Sequence, residues 1–295
     1  MDNSILEKRE HTKIKKNNPL LRTKKTQSIS SLYEGRYKIL LNNPFNSLNS
    51  LNLNRSILRK LIIASTSTIY GSGYLEYLLP TLAGFFEGVS KLLFIPYARP
   101  GGITYDAYTQ IAAEALATIN IEVLGIHEFE NPTEALQEAE AIFTGGGNTF
   151  ELLNQLYRHD LITELKTVLE NGTPYLGTSA GSNICGVSIC NTNDMPVVYP
   201  LSFNALETIP FNINAHYLDP VKGSVYMGET RETRIQEFHV YNNTPVLGLR
   251  EGSWLEVIDK KIILKGTLQA RWFQKNQLPK EIASGSEVFC KKEKL

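Results

Sequence analysis

Tyr175-Leu-Gly-Thr-Ser-Ala-Gly181 reads as a short apolar strand that stops at a serine between glycines, Gly177-x-Ser179-x-Gly181. A serine at such a strand-to-helix turn matches a nucleophile elbow: small neighbours at Gly177, Ala180 and Gly181 let strand and helix approach closely while the hydroxyl projects from the sheet edge. Working outward, residues 141–144, 123–126, 92–98 and 61–64 on one side and 246–249 on the other are further short apolar runs. Between them, residues 105–119 and 150–169 place apolar side chains three and four apart, the period of an amphipathic helix. Strands buried on both faces read as continuous apolar runs, so this alternation predicts an α/β fold with a mostly parallel sheet and helices on both faces. From residue 254 onward the runs 254–258, 262–264 and 270–273 suggest a terminal antiparallel ribbon. Ligands of such sheets sit beyond the carboxyl ends of the strands, so chemistry is sought where an apolar run stops.

The 295 residues, 42% hydrophobic and 20% charged, are enough to bury a sizeable core. Thirty basic residues balance thirty acidic ones, which removes the broad positive field of a nucleic-acid binder. The balance is uneven along the chain. Residues 1–60 carry 13 Lys and Arg against 4 Asp and Glu, and the remainder compensates. That first segment, rich in Lys, Asn, Ser and Leu, keeps no sustained period and is expected to be a basic extension without a fold of its own; residues 61–295 form the domain. No apolar stretch reaches the roughly 18 to 20 residues of a membrane span, and the first 30 residues lack the pattern of a secretory leader. Cys185, Cys190 and Cys290 form neither a C-x-x-C pair nor a zinc-like spacing with histidine. The expectation is a cytoplasmic protein with no metal, no nucleic-acid partner and no membrane partner. A phosphate-binding G-x-x-x-x-G-K-[ST] is missing, and Gly71-Ser-Gly73 has Glu76 where a dinucleotide fingerprint needs its third glycine, so no cofactor is expected.

The run before the serine strand ends in Thr144-Gly-Gly-Gly-Asn148. A glycine turn of this kind can aim a backbone N–H at a developing oxyanion, with a second N–H from Ala180, the residue after the serine. A serine nucleophile needs a base, and of the five histidines His127 and His216 stand at the end of strand-like runs, whereas His11, His159 and His239 lie in polar segments. For the acid that orients the histidine, Asp194 in a polar loop gives the chain order serine, acid, histidine of strand-turn-helix hydrolases. Glu251, closing the run at 246–251, is its rival.

Six ordered motifs together carry a resemblance: Thr144-Gly-Gly-Gly-Asn-Thr-Phe150, Gly177-Thr-Ser-Ala-Gly181, Thr192-Asn-Asp-Met-Pro196, Ile213-Asn-Ala-His216, Gly228-Glu-Thr-Arg-Glu-Thr-Arg234 and Glu251-Gly-Ser-Trp254. From about Leu61 to at least Trp254 the chain resembles the dipeptidase E family, α-aspartyl dipeptidases among the serine peptidases that also include cyanophycinase. The resemblance implies a class I glutamine-amidotransferase-like, flavodoxin-like fold and a cytoplasmic, metal-free serine peptidase that hydrolyses dipeptides with an N-terminal aspartate. Carried over residue by residue, it implies Ser179 as nucleophile, His216 as base, Asp194 as the usual third member, and the amides of Gly147 and Ala180 as oxyanion donors. Glu251 also falls on one of the family's motifs and stays the alternative acid. An aspartyl side chain needs a cation beside it. Arg231 and Arg234 are the candidates, and the motif favours Arg231. The alternatives are a cyanophycinase-like peptidase and a non-catalytic binding module on the same scaffold; an amidotransferase would need a cysteine where Ser179 stands. The expected partner is a small Asp-Xaa peptide, and the sequence leaves a homo-oligomer open.

Overall fold

A computed structural model describes residues 59–220, 223 and 227–288. The basic extension expected over residues 1–60 lies outside the described residues except for Arg59 and Lys60, and so does Cys290.

Five parallel strands form the centre of the molecule: β1 (Lys60–Ala64), β2 (Lys91–Ile95), β3 (Glu122–Gly125), β4 (Ile142–Thr144) and β5 (Tyr175–Thr178), in the spatial order β3-β2-β4-β5-β1. A second sheet pairs β6 (Asn212–Ala215) with β7 (Val246–Leu249) in parallel. The first sheet is then extended past β1 by an antiparallel hairpin, β8 (Ser253–Ile258) and β9 (Lys261–Gly266). β10 (Ala270–Phe273) and β11 (Lys280–Ile282) complete the second sheet in the order β11-β10-β7-β6. Two details differ from the reading of the sequence. The run 246–249 joins the smaller sheet, and the terminal ribbon splits between the two sheets, because a short run buried on both sides carries no mark of which neighbour it will pair with.

Both faces of the parallel sheet are buried, as its apolar runs require. Ile62 and Ala64 of β1 face a layer made by α1 (Leu79–Phe85) and α2 (Tyr105–Ala117), where Leu82, Tyr108, Ala112 and Leu116 pack on Phe94 and Phe143. Leu61 and Ile63 face the opposite way, against α3 (Pro132–Glu138), α4 (Thr149–Arg158), α5 (Leu161–Glu170) and side chains of the second sheet such as Leu247 and Leu249. Each fully buried Leu or Ile contributes about 1.5–3 kcal/mol, so a two-sided core fixes the strand order firmly. Two of these helices begin at side-chain caps. Thr104 accepts from Ala107 N–H at 3.1 Å, and Asn148 accepts from Glu151 N–H at 3.1 Å. Among the described residues no helix is long and apolar enough to cross a membrane.

One buried side chain ties the two sheets together at the edge where strands end. The Ser65 hydroxyl, directly after β1, donates to Leu249 O at 2.7 Å and accepts from His216 N–H at 2.9 Å. The ends of β1, β6 and β7 therefore meet at one place.

Candidate active site

Ser179 links β5 to the single helical turn α6 (Ala180–Asn183) with φ +53° and ψ −108°. That conformation costs a non-glycine residue of order 1–3 kcal/mol and persists only when its surroundings hold it. Here the Ser179 N–H donates to Ala64 O at 3.2 Å, and its carbonyl accepts from Ser182 N–H and Asn183 N–H, both at 2.9 Å. The Ser182 hydroxyl lies 2.6 Å from Ala64 O and 2.8 Å from Gly177 O, fastening the turn to β1 and β5. The close approach expected around the serine is present: a Cβ on Gly181 would stand 2.2 Å from Thr144 O.

His216 follows β6, and its Nε2 lies 2.8 Å from Ser179 Oγ. On the other side of the ring, Nδ1 lies 2.6 Å from Glu251 Oε1. A carboxylate can only accept, so Nδ1 carries the proton towards Glu251 and the Nε2 lone pair faces the serine hydroxyl. The imidazole and carboxylate side chains are 38% and 47% exposed, so the pair is open to a ligand arriving from solvent. Tyr77 stands beside this carboxylate, its hydroxyl donating to Thr66 O at 2.6 Å. Burial, and then the charge of Glu251, pushes the Tyr77 pKa above the usual phenol value, so the hydroxyl remains a donor.

Asp194, expected to orient the histidine, is placed elsewhere. Its Oδ2 accepts from Thr149 N–H at 2.7 Å and also from the Thr149 hydroxyl, while Asn148 Nδ2 donates to Met195 O at 2.8 Å. Thr149 is the first residue of α4, and a carboxylate against a helix amino terminus is favoured by the free N–H groups and the helix dipole. Ser179, His216 and Glu251 are thus brought together, and Asp194 fastens the loop 192–196 to the start of α4.

The glycine turn ahead of α4 rests on the serine, since a Cβ on Gly146 would lie 2.9 Å from Ser179 Cβ. Gly147 has φ +145°, and a Cβ there would meet Ala98 O at 2.2 Å, so this position admits only glycine. Among the described residues the N–H groups of Gly147 and Ala180 donate to no protein acceptor. Arg231 is the half-buried first residue of α7 (Arg231–Tyr241); Arg234, one turn on, is exposed with Nε 3.7 Å from Glu229. His127 is bonded to Asp106 at 2.9 Å and His239 to Thr244 O at 3.1 Å. No group of three His, Cys, Asp or Glu side chains that could hold a metal occurs among the described residues.

Two positioning residues escaped the reading of the sequence. Ser65 is one, and Asn183 is the other: its Oδ1 accepts from Ala215 N–H at 3.3 Å and its Nδ2 donates to Thr149 Oγ1 at 3.0 Å, joining the serine turn to β6 and α4. Ser65 is marked in the sequence only as the polar residue after an apolar run, and Asn183 only by standing four residues after Ser179.

Comparison with known proteins shows the family. The model of peptidase family S51 matches residues 61–265. A Peptidase E of Streptomyces coelicolor is 47% identical over 228 residues, covering 77% of this chain and 93% of its own length. A protein of Drosophila melanogaster named as a probable alpha-aspartyl dipeptidase is 46% identical over 228 residues, covering 76% of this chain and 94% of its own. Among solved structures, a peptidase from an acI-B1 Actinobacterium superposes with a TM-score of 0.59 at 15% identity, over 78% of this chain and 96% of that one, a likeness of fold.

Proposed function

The chain belongs to peptidase family S51 and is a serine-type peptidase, and from that premise we propose that it hydrolyses dipeptides with an N-terminal aspartate, using Ser179 as nucleophile, His216 as base and Glu251 as the acid that orients the base. The observation that carries this reading is the continuous line from Glu251 Oε1 through the His216 ring to Ser179 Oγ, with contacts of 2.6 and 2.8 Å. The strained strand-to-helix turn is the nucleophile elbow of an amidotransferase-like fold, and residues from about 61 onward are the catalytic domain. His216 Nε2 takes the hydroxyl proton as Oγ attacks the aspartyl carbonyl carbon. The resulting oxyanion sits against the N–H groups of Gly147 and Ala180. Collapse expels the second residue, whose amine receives the proton from His216, and water then releases aspartate from the acyl-enzyme by the same steps. In this reading Asp194 is not the third member; it keeps the glycine turn and α4 in place.

In this reading the buried Cys185 takes no part in the chemistry. Burial pushes the Cys185 thiol up to about 12, and it lies 3.4 Å from Gly181 O, inside the core. Iodoacetamide at pH 8 should therefore label exposed Cys190 and spare Cys185 in the folded protein, with peptidase activity retained; peptide mass mapping after the reaction checks it. Free thiols on both residues fit a reducing cytoplasm.

Arg231 is the proposed partner of the substrate's aspartyl carboxylate. A charge-assisted bond of this kind contributes about 1.5–3 kcal/mol, so Arg231→Met should lower kcat/KM for Asp-Leu by roughly ten- to a hundredfold and leave Ala-Leu nearly unchanged. Asp-Leu, Glu-Leu, Ala-Leu and β-aspartyl-Leu assayed side by side test the substrate class: Asp-Leu should be cleaved at least about tenfold faster than the others, and equal rates for Ala-Leu would overturn the aspartyl assignment.

A further inference from the structure

The glycine turn that meets Ser179 is held by a side chain from the far layer of the molecule. Tyr108, on α2 and buried, donates its hydroxyl to Gly146 O at 3.1 Å. The carbonyl of Gly146 and the N–H of Gly147 belong to one planar trans peptide and point in opposite directions. Between two glycines such a plane has little side-chain hindrance to rotation. Its neighbours along the chain are fixed: Gly145 N–H donates to Ile95 O at 3.2 Å and Asn148 N–H donates to Ala98 O at 2.8 Å. The plane between them is fixed through its carbonyl, by Tyr108.

We infer that Tyr108 is a positioning residue for the peptidase reaction, its hydroxyl bond to Gly146 O holding the Gly146–Gly147 peptide so that the Gly147 N–H faces the oxyanion formed at Ser179. This rests on the hydrolase reading above. The phenol is braced on every side. Phe94 meets its ring edge-on at 5.0 Å, the Arg99 guanidinium lies 4.7 Å from its centroid, and a Cβ on Gly145 would come within 2.6 Å of its hydroxyl. The Tyr74 hydroxyl is 3.3 Å from that of Tyr108. Since the Tyr108 proton goes to Gly146, Tyr74 is the donor in that second bond, and its pKa, raised by burial and then by Tyr108, keeps it protonated.

Tyr108→Phe keeps the ring and its packing and removes the bond to Gly146 together with the acceptor of the Tyr74 hydroxyl. Losing an oxyanion donor outright costs about a hundred- to a thousandfold in kcat, so loosening one should cost less: kcat is expected to fall about tenfold with KM within twofold of the parent. Two probes separate positioning from general damage. The boronic acid analogue of aspartate forms a tetrahedral adduct with Ser179 that presents an oxygen to the turn, and should bind about tenfold more weakly. A reduced Asp-Leu isostere, CH2–NH in place of the amide, has no such oxygen and should bind as before. The ratio of the two affinities cancels any loss of folded protein. Tyr74→Phe, which leaves the Gly146 bond in place, should change kcat by no more than about threefold. Parent-like kcat and boronate affinity in Tyr108→Phe, or equal weakening of both probes, would overturn the inference. Ser179→Ala assayed beside it separates the cases: an active alanine variant would overturn the hydrolase reading itself, whereas an inactive one with a parent-like Tyr108→Phe overturns only the role of Tyr108.

Discussion

Ser179→Ala is expected to lower kcat by roughly four to six orders of magnitude, the range seen when a serine nucleophile is removed, with the melting temperature almost unchanged. Alanine keeps the Cβ and therefore the same strained φ of +53°, and the backbone bonds to Ala64, Ser182 and Asn183 do not involve the hydroxyl. Only the contact to His216 is lost. Ser179→Gly removes the same oxygen but tolerates positive φ, so it should be equally inactive and more stable by about 1 kcal/mol. Turnover near that of the parent in a folded alanine variant, measured with Asp-Leu under saturating substrate, would dismiss Ser179 as the nucleophile.

Glu251→Gln carries the next largest expected loss, about a hundred- to a thousandfold in kcat. A glutamine can turn its NH2 towards His216 Nδ1, which moves the ring proton to Nε2 and points a donor, in place of a lone pair, at the serine. The carboxylate is nearly half exposed, so solvent softens the effect relative to a buried acid. Asp194→Asn offers the contrast. An amide oxygen still accepts from Thr149 N–H, so kcat should change by less than about fivefold, while weaker bonding at the start of α4 lowers stability by about 1 kcal/mol. A large loss in Asp194→Asn beside a mild one in Glu251→Gln would return the role of the acid to Asp194.

How much of this was legible follows from where each residue stands in its run. Ser179 and the glycine turn close apolar strands of the parallel sheet, and His216 closes the run 212–215, so looking where runs stop leads to all three. Glu251 lies two residues past β7, whose end meets those of β1 and β6, so the same rule also offers it. Which of the two carboxylates meets the imidazole is set by contacts far along the chain, which neither run encodes; the order serine, acid, histidine favoured Asp194, whereas the carboxylate beside His216 is that of Glu251. The same blindness to partners placed the run 246–249 in the main sheet. Ser65 and Tyr108 were hidden for another reason. A single serine after a strand, or a tyrosine on the buried side of a helix, looks like ordinary packing until the atom it touches is known.

The antiparallel seam between β1 and β8 also sets a timetable. A chain leaving the ribosome folds from its amino end, and once α6 has emerged it holds the five parallel strands, with the serine already in sequence and β1 an unpaired edge. At that stage neither the imidazole nor the carboxylate has been delivered. Glu251 comes last of the three, in the turn that leads directly into β8, the strand that closes that edge. On the proposed mechanism the unfinished chain lacks both the base and the acid, so sealing the sheet and completing the site coincide.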